Sequence, residues 1–208
     1  MGNDLETREK LLACAREEFM AKGFANASMR QICTKAGVTT GAVYFFFKDK
    51  EGLFSALVDD TYQSVMQALQ KHLTEDAKED LASYVHEPGD HDPFVEEIIH
   101  VLYANHDAVT LLLSKSSGTK YEHVVDQVID MIDSSFGENA IRTCDLIPGK
   151  QANRYMIHWL SHISVMTFVH LLTHIKDEKK ALRFMKPAME HLICGWTNYI
   201  LEDKQDNG

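Results

Sequence analysis

Two sets of residues in this 208-residue chain have the types and spacing to do chemistry. In the first, His158 and His162 stand four apart, as do His170 and His174. On a helix each pair shares a face and could chelate a metal or act as an acid/base group. Each pair supplies only two ligands where a structural zinc site wants four, and the pairs diverge by about a quarter turn. The second set lies in GVTTGAVYFFFKDKEGLF, from Gly37 to Phe54. Thr40 can hydrogen-bond a base edge or touch a thymine methyl, and Gly41 and Ala42 are small enough for close backbone approach to bases. Lys48 and Lys50 follow, where a cation could reach a phosphate. This is the equipment of a nucleotide contact, provided the stretch is helical.

That proviso is the central question, because Val43-Tyr44-Phe45-Phe46-Phe47 reads residue by residue as a buried strand. A strand there has no partner: its flanks carry helix punctuation and no second strand pattern lies nearby. Leu12, Ala15 and Phe19 follow helical spacing from Glu6 to Lys22, and Gly23 supplies a stop. Ser28 and Gln31 stand in the relation of a capping box, Met29, Ile32, Cys33 and Ala36 make an apolar stripe, and Gly37 fits a left-handed C-cap. Thr39 is placed to cap a third helix that buries Val43 and Phe47 and turns Gly41, Ala42 and Phe45 outward, its free N–H groups offering partial positive charge to phosphate. Asp49 caps a longer fourth helix carrying Leu53, Phe54, Leu57, Val58, Val65 and Leu69.

Beyond it, breaks are expected at residues 87–93, 116–119, 136–139, 147–150 and 175–180, with helices between. No β segment is needed, so the fold class is all-α. The domains expected are 1–48, a helix-turn-helix DNA-binding domain, and 49–208, a helical domain. Two short helices around the Gly37-Val38 turn, with a supporting helix before them, match the geometry that sets a helix in a DNA major groove.

The formal net charge of −10 argues against an acidic partner, but it is unevenly spread. Residues 1–60 hold eight basic and nine acidic side chains, so the excess acid lies later. The N-terminus lacks the apolar core of a secretory signal, and the apolar run WLSHISVMTFVHLLTHI is broken by Ser161, His162, Ser164, His170 and His174. It reads as a buried helix, which gives a cytoplasmic expectation with no membrane partner. Cys14, Cys33, Cys144 and Cys194 lack close spacing and read as small buried residues. No nucleophile motif, phosphate loop or pair of catalytic carboxylates is present. No enzyme, cofactor or metal is expected, and a metal-sensing regulator or a helical histidine-dependent enzyme stands as the alternative.

The stretch TREKLLACAREEFMAKGFANASMRQICTKAGVTTGAVYFFFKDKEGLF resembles the DNA-binding domain of TetR-family transcriptional regulators. The likeness runs through Phe19, Gly23, Ser28, Ile32, Ala36-Gly37-Val38, Gly41, Tyr44, Phe47, Lys50 and Leu53. It implies that Arg30, Thr40, Gly41, Ala42 and Phe45 face bases, while Ser28, Thr39, Tyr44 and Lys50 hold phosphates. At Phe46 the chain departs from the family, which commonly has His or Tyr there, able to bond phosphate.

The resemblance further implies that 49–208 is a ligand-binding and dimerisation domain, and that the protein is a repressor reading palindromic operator DNA as a homodimer. Its dimer interface would form from the last two helices, roughly 152–175 and 179–201, where Trp159, Ile163, Met166, Val169, Leu172, Met185, Met189, Leu192 and Trp196 give a large apolar surface. A small-molecule effector, largely apolar, would release the DNA by favouring a state in which the recognition helices no longer fit successive grooves. Candidate lining residues are Leu69, Phe94, Tyr103, Tyr121, Val125, Met131, His162 and Phe168.

Overall fold

Ser28, Asp49, Asn153 and Asp177 each place a side-chain oxygen on the backbone amide three residues on, and each starts a helix. The computed structural model describes residues 2–78 and 92–204. In chain order the elements are α1 (Gly2–Asn26), α2 (Met29–Ala36), α3 (Thr40–Phe47), α4 (Lys50–Asp76), α5 (Asp92–Ala104), α6 (His106–Ser114), α7 (Val124–Leu146), β1 (Lys150–Ala152), α8 (Arg154–His174), α9 (Glu178–Tyr199) and β2 (Leu201–Asp203).

Among the described residues, those up to Val65 together with Ala104–Val124 make one compact unit. Those from Met66 to Tyr103 together with Val125 onward make a second. The boundary between these compact units falls inside α4, and α6 with the loop after it belongs to the first unit.

In the first unit, α1 buries Leu11, Ala15 and Phe19 completely. The stripe starts at Leu11, one residue earlier than expected, and Leu12 is only half-buried. Gly23 interrupts α1 at φ 73, ψ 164. The next amide, of Phe24, then donates to the Lys115 carbonyl at 2.8 Å, fastening the end of α1 to the loop after α6. Phe19, Phe24 and Phe54 pack ring on ring with centroids 5.2–5.9 Å apart. Tyr121 joins this group, 6.1 Å from Phe54 and 5.4 Å from Tyr62, and its hydroxyl donates to Asp59. The Lys120 amide adds a bond to Glu51 at 3.0 Å.

The second unit is centred on Ala140, Ile157, Leu160, Trp196 and Ile200, with Phe136 stacked 4.3 Å from Trp196. β1 and β2 pair antiparallel, with Lys150 opposite Asp203 and Ala152 opposite Leu201. This small ribbon corrects the expectation of no β structure; three residues a side are too few to leave a periodic pattern.

The break expected at 136–139 is absent, because α7 runs through it. The Arg154 guanidinium lies against Gly137, and a Cβ there would require that flexible side chain to shift. The break at 175–180 shrinks to three residues before α9. Of the break at 87–93, residues 87–91 lie outside the described residues and α5 opens at Asp92.

Candidate nucleic-acid interface

The turn between α2 and α3 is built locally. Gly37 sits at φ 72, ψ 29, a left-handed conformation that glycine adopts without strain, and its amide reaches back to the Cys33 and Thr34 carbonyls. The Val38 amide donates to the Cys33 carbonyl at 3.0 Å. At the other end of α2 only half of the expected capping box forms. The Gln31 amide donates to Ser28 Oγ at 3.3 Å, whereas the Ser28 amide turns to Glu18 Oε1 of α1 at 3.1 Å. Glu18 also takes Lys22 Nζ at 2.8 Å. These donors, Lys22 first and then the Ser28 amide, hold the Glu18 carboxyl below the usual carboxylate range. A sequence reading aimed at local pairs misses this brace, because Glu18 precedes Ser28 by ten residues.

α3 is helical, and the aromatic run presents two faces. Val43 is fully buried and Phe47 nearly so, while Tyr44 is 62% and Phe45 77% exposed. Thr40 and Gly41 are exposed and Ala42 is half-buried. Thr39 makes no side-chain capping bond, contrary to expectation; the Ala42 amide already donates to the Thr39 carbonyl at 3.1 Å, which leaves the Thr40 and Gly41 amides and the Thr39 hydroxyl for an anion. After α3 the chain turns through Lys48 at φ 71, ψ −45. α4 then starts so close that a Cβ on Gly52 would collide with the Phe47 carbonyl oxygen.

The cations of α1 to the start of α4 divide into engaged and free. Lys10, Lys22 and Lys35 pair with Glu6, Glu18 and Glu17, and Arg16 lies 3.9 Å from Asp107. Arg8 lies over the Phe47 ring at 5.4 Å. Lys50, expected at a phosphate, is half-buried instead. Its ammonium sits 4.7 Å from the Phe24 ring and 3.4 Å from the Ala25 carbonyl, and burial pushes its pKa down. Among the described residues, Arg30 of α2 and Lys48, next after α3, are exposed with no side-chain partner in the chain. Ser28 is half-buried as the cap of α2.

The candidate effector residues do not converge. Tyr121 is buried in the first unit on Asp59. In the second unit Leu69 is buried, Phe94 stacks on His72 at 3.7 Å, and the Tyr103 hydroxyl donates to the Ile175 carbonyl. Val125 and Phe168 are half-buried, and His162 is exposed. Met131 alone of the set lines the open depression of about 630 Å³ formed with Met66, Gln67, Gln70, Lys71, Thr74, Glu75 and Lys78.

The histidine pairs do form, with ring centroids 4.6 Å apart for His158–His162 and 4.2 Å for His170–His174. Among the described residues no three His, Cys, Asp or Glu side chains gather as metal ligands. Cys194 is exposed rather than buried, its Sγ accepting from Asn198 at 3.4 Å. α8 is long and apolar enough to cross a membrane by length and composition, yet Ile157, Leu160, Val165, Leu171 and Leu172 on it are buried in the protein.

An all-α chain that carries this turn, with a short helix presented beyond it, has the fold of a helix-turn-helix DNA-binding protein. Residues 11–57 match the model of the bacterial regulatory proteins, tetR family. The transcriptional regulator YdgC of Bacillus subtilis is 35% identical over 71 residues, 34% of this chain and 36% of YdgC. The transcriptional repressor BepR of Brucella suis is 40% identical over 53 residues, 26% of this chain and 25% of BepR. UidR of Escherichia coli is 28% identical over 114 residues, 52% of this chain and 58% of UidR. The chain thus spans from a quarter to under two thirds of the length of these curated relatives.

Across most of the chain the fold matches solved regulators. One from Aquifex aeolicus VF5 has a TM-score of 0.52 at 16% identity, covering 89% of this chain and 99% of that one. NalD, the secondary repressor of the MexAB-OprM multidrug efflux pump in Pseudomonas aeruginosa, has a TM-score of 0.50 at 21% identity, covering 98% and 100%. All of these proteins are described as transcriptional regulators or repressors.

Proposed function

We propose that the protein is a homodimeric transcriptional repressor that binds palindromic operator DNA through α3 and is released by a small molecule. The observation that carries the reading is the outward face of α3. It is small or aromatic at Gly41, Tyr44 and Phe45, its first turn has no side-chain cap, and the cations Arg30 on α2 and Lys48 after α3 are exposed and unpaired. Repression is supported by BepR and NalD, each described as a repressor. Of the two lysines after α3, Lys48 takes the phosphate role first, since Lys50 faces Phe24.

Dimerisation is supported by large apolar side chains left exposed on the last two helices: Tyr155, Trp159 and Met166 of α8, and Phe184 and Tyr199 of α9. A surface of this kind wants cover, and two copies related by a two-fold would set their recognition helices about 34 Å apart, one DNA turn. The effector belongs to the second unit, with the depression at Met66, Gln70 and Met131 as its candidate site. Met66, Met131 and the aliphatic stems of the long side chains lining it suit the largely apolar ligand expected from sequence, with Gln70, Lys71 and Glu75 able to hold a polar end.

A fluorescence anisotropy titration with duplexes from the DNA flanking its own gene tests the reading. Sequence-specific binding should weaken steeply as salt rises, and binding no tighter than to random duplex would refute it. Trp159→Glu should give a monomer by light scattering and lose most DNA affinity; a Trp159→Glu dimer would place the interface elsewhere.

A further inference from the structure

Phe45 is the most exposed of the large apolar side chains described in the first unit, at 77%. Its ring is nevertheless held. It meets Phe46 edge to face, with centroids 4.8 Å apart at 81°, and Phe46 lies 6.2 Å from Phe47, which is anchored in the core. Phe46 lacks the phosphate-bonding group its position commonly carries in the family, and in this chain it braces the outward ring instead. One turn before Phe45 on the same side of α3, Gly41 and Ala42 contribute no polar side-chain atom, while Thr40, Tyr44 and Lys48 are the exposed polar side chains nearest in sequence.

A phenyl ring has neither donor nor acceptor, so it is blind to most of the pattern that base pairs show in the major groove. Pressed against a polar base edge it would strip water and return no hydrogen bond. The C5 methyl of thymine is the one apolar feature of that pattern. We infer that Phe45 is a specificity-determining residue that reads a thymine methyl in each operator half-site. The inference rests on the reading of α3 as the helix that enters the major groove.

The test uses the full-length protein and an operator selected by it from random duplexes. Thymines in each half-site are replaced one at a time by deoxyuridine, which removes the methyl alone, and affinities are measured for the wild type and for Phe45→Ala. One position per half-site should cost the wild type about fourfold, the value of one methyl-sized group withdrawn from water, and about fifteenfold when both half-sites are changed. In Phe45→Ala the same replacement should cost less than about twofold on that scale. At that position a 5-methylcytosine·guanine pair should bind the wild type more tightly than cytosine·guanine.

Because Phe45 is exposed, Phe45→Ala should keep the wild-type melting temperature, which makes its binding data readable. Uracil tolerated at every position overturns the inference, as does a uracil penalty that persists in Phe45→Ala, which would assign the methyl to Thr40. If the wild type selects no duplex at all, the DNA-binding reading itself fails, an outcome distinct from both.

Discussion

Lys48 joins two properties that a substitution can separate. Its backbone at φ 71, ψ −45 is a region where a Cβ is strained, and its exposed ammonium has no partner in the chain. Lys48→Gly removes the strain and the charge together. It is expected to raise stability by about 1 kcal/mol, the relief exceeding the entropy that glycine costs. It should also weaken DNA binding and make the salt dependence shallower by about one charge. Lys48→Ala should weaken binding equally without the gain in stability. Thermal melting and salt-titrated anisotropy read the two effects apart, and an unchanged salt slope in both variants would remove Lys48 from the phosphate contacts. Such residues divide by how far away their partners lie in sequence. The faces of Val43, Phe45 and Phe47 follow from period alone, whereas Lys50 is legible only as a cation after a helix. Its turn toward Phe24 depends on where the end of α1 lies.

At the scale of elements, two glycines in the recognition region have opposite tolerances. A Cβ on Gly41 meets only Thr39 Oγ1, at 3.5 Å, an ordinary contact. Gly41→Ala should therefore stabilise α3 by up to about 1 kcal/mol through helix propensity, while weakening DNA binding by holding the backbone off the groove. A Cβ on Gly52 would overlap the Phe47 carbonyl oxygen, backbone against backbone, so α4 must move away from α3. Gly52→Ala should cost about 2 kcal/mol or more, a drop of several degrees in melting temperature. If Gly52→Ala melts with the wild type, the close approach of α4 to α3 is wrong. The helices themselves are readable because Ser28, Gly37 and Asp49 are local signals with local bonds. Gly137 misleads for the same reason: it reads locally as a break, yet α7 continues through it. The β1–β2 ribbon pairs residues some fifty positions apart, beyond the reach of any local pattern.

For the whole molecule, the first unit is discontinuous, and Tyr121 is one of the residues that close it. Burial, and then the hydrogen bond to Asp59, push its hydroxyl pKa up from the ordinary phenol value. A raised acid pKa in the native state means the stabilisation is complete below about pH 10 and is lost as pH climbs through the raised value. Tyr121→Phe should cost about 1 kcal/mol at neutral pH for the lost hydrogen bond. It should also lack the part of the alkaline decline in melting temperature that this hydroxyl contributes. Identical alkaline limbs for the two proteins would show that the hydroxyl does not bear on folding. From the sequence Tyr121 reads as an effector-site residue, one of an apolar set with a few polar tips among the later helices. Its burial beside Phe54 and Tyr62 reflects a return of the chain that no spacing announces.

Translation meets this arrangement in order. When the end of α4 has left the ribosome, Phe19, Phe24 and Phe54 still lack Tyr121 and the loop that carries it. At ordinary elongation speed that surface waits on the order of a few seconds for its cover. During this interval the nascent chain is most open to chaperone capture and to aggregation.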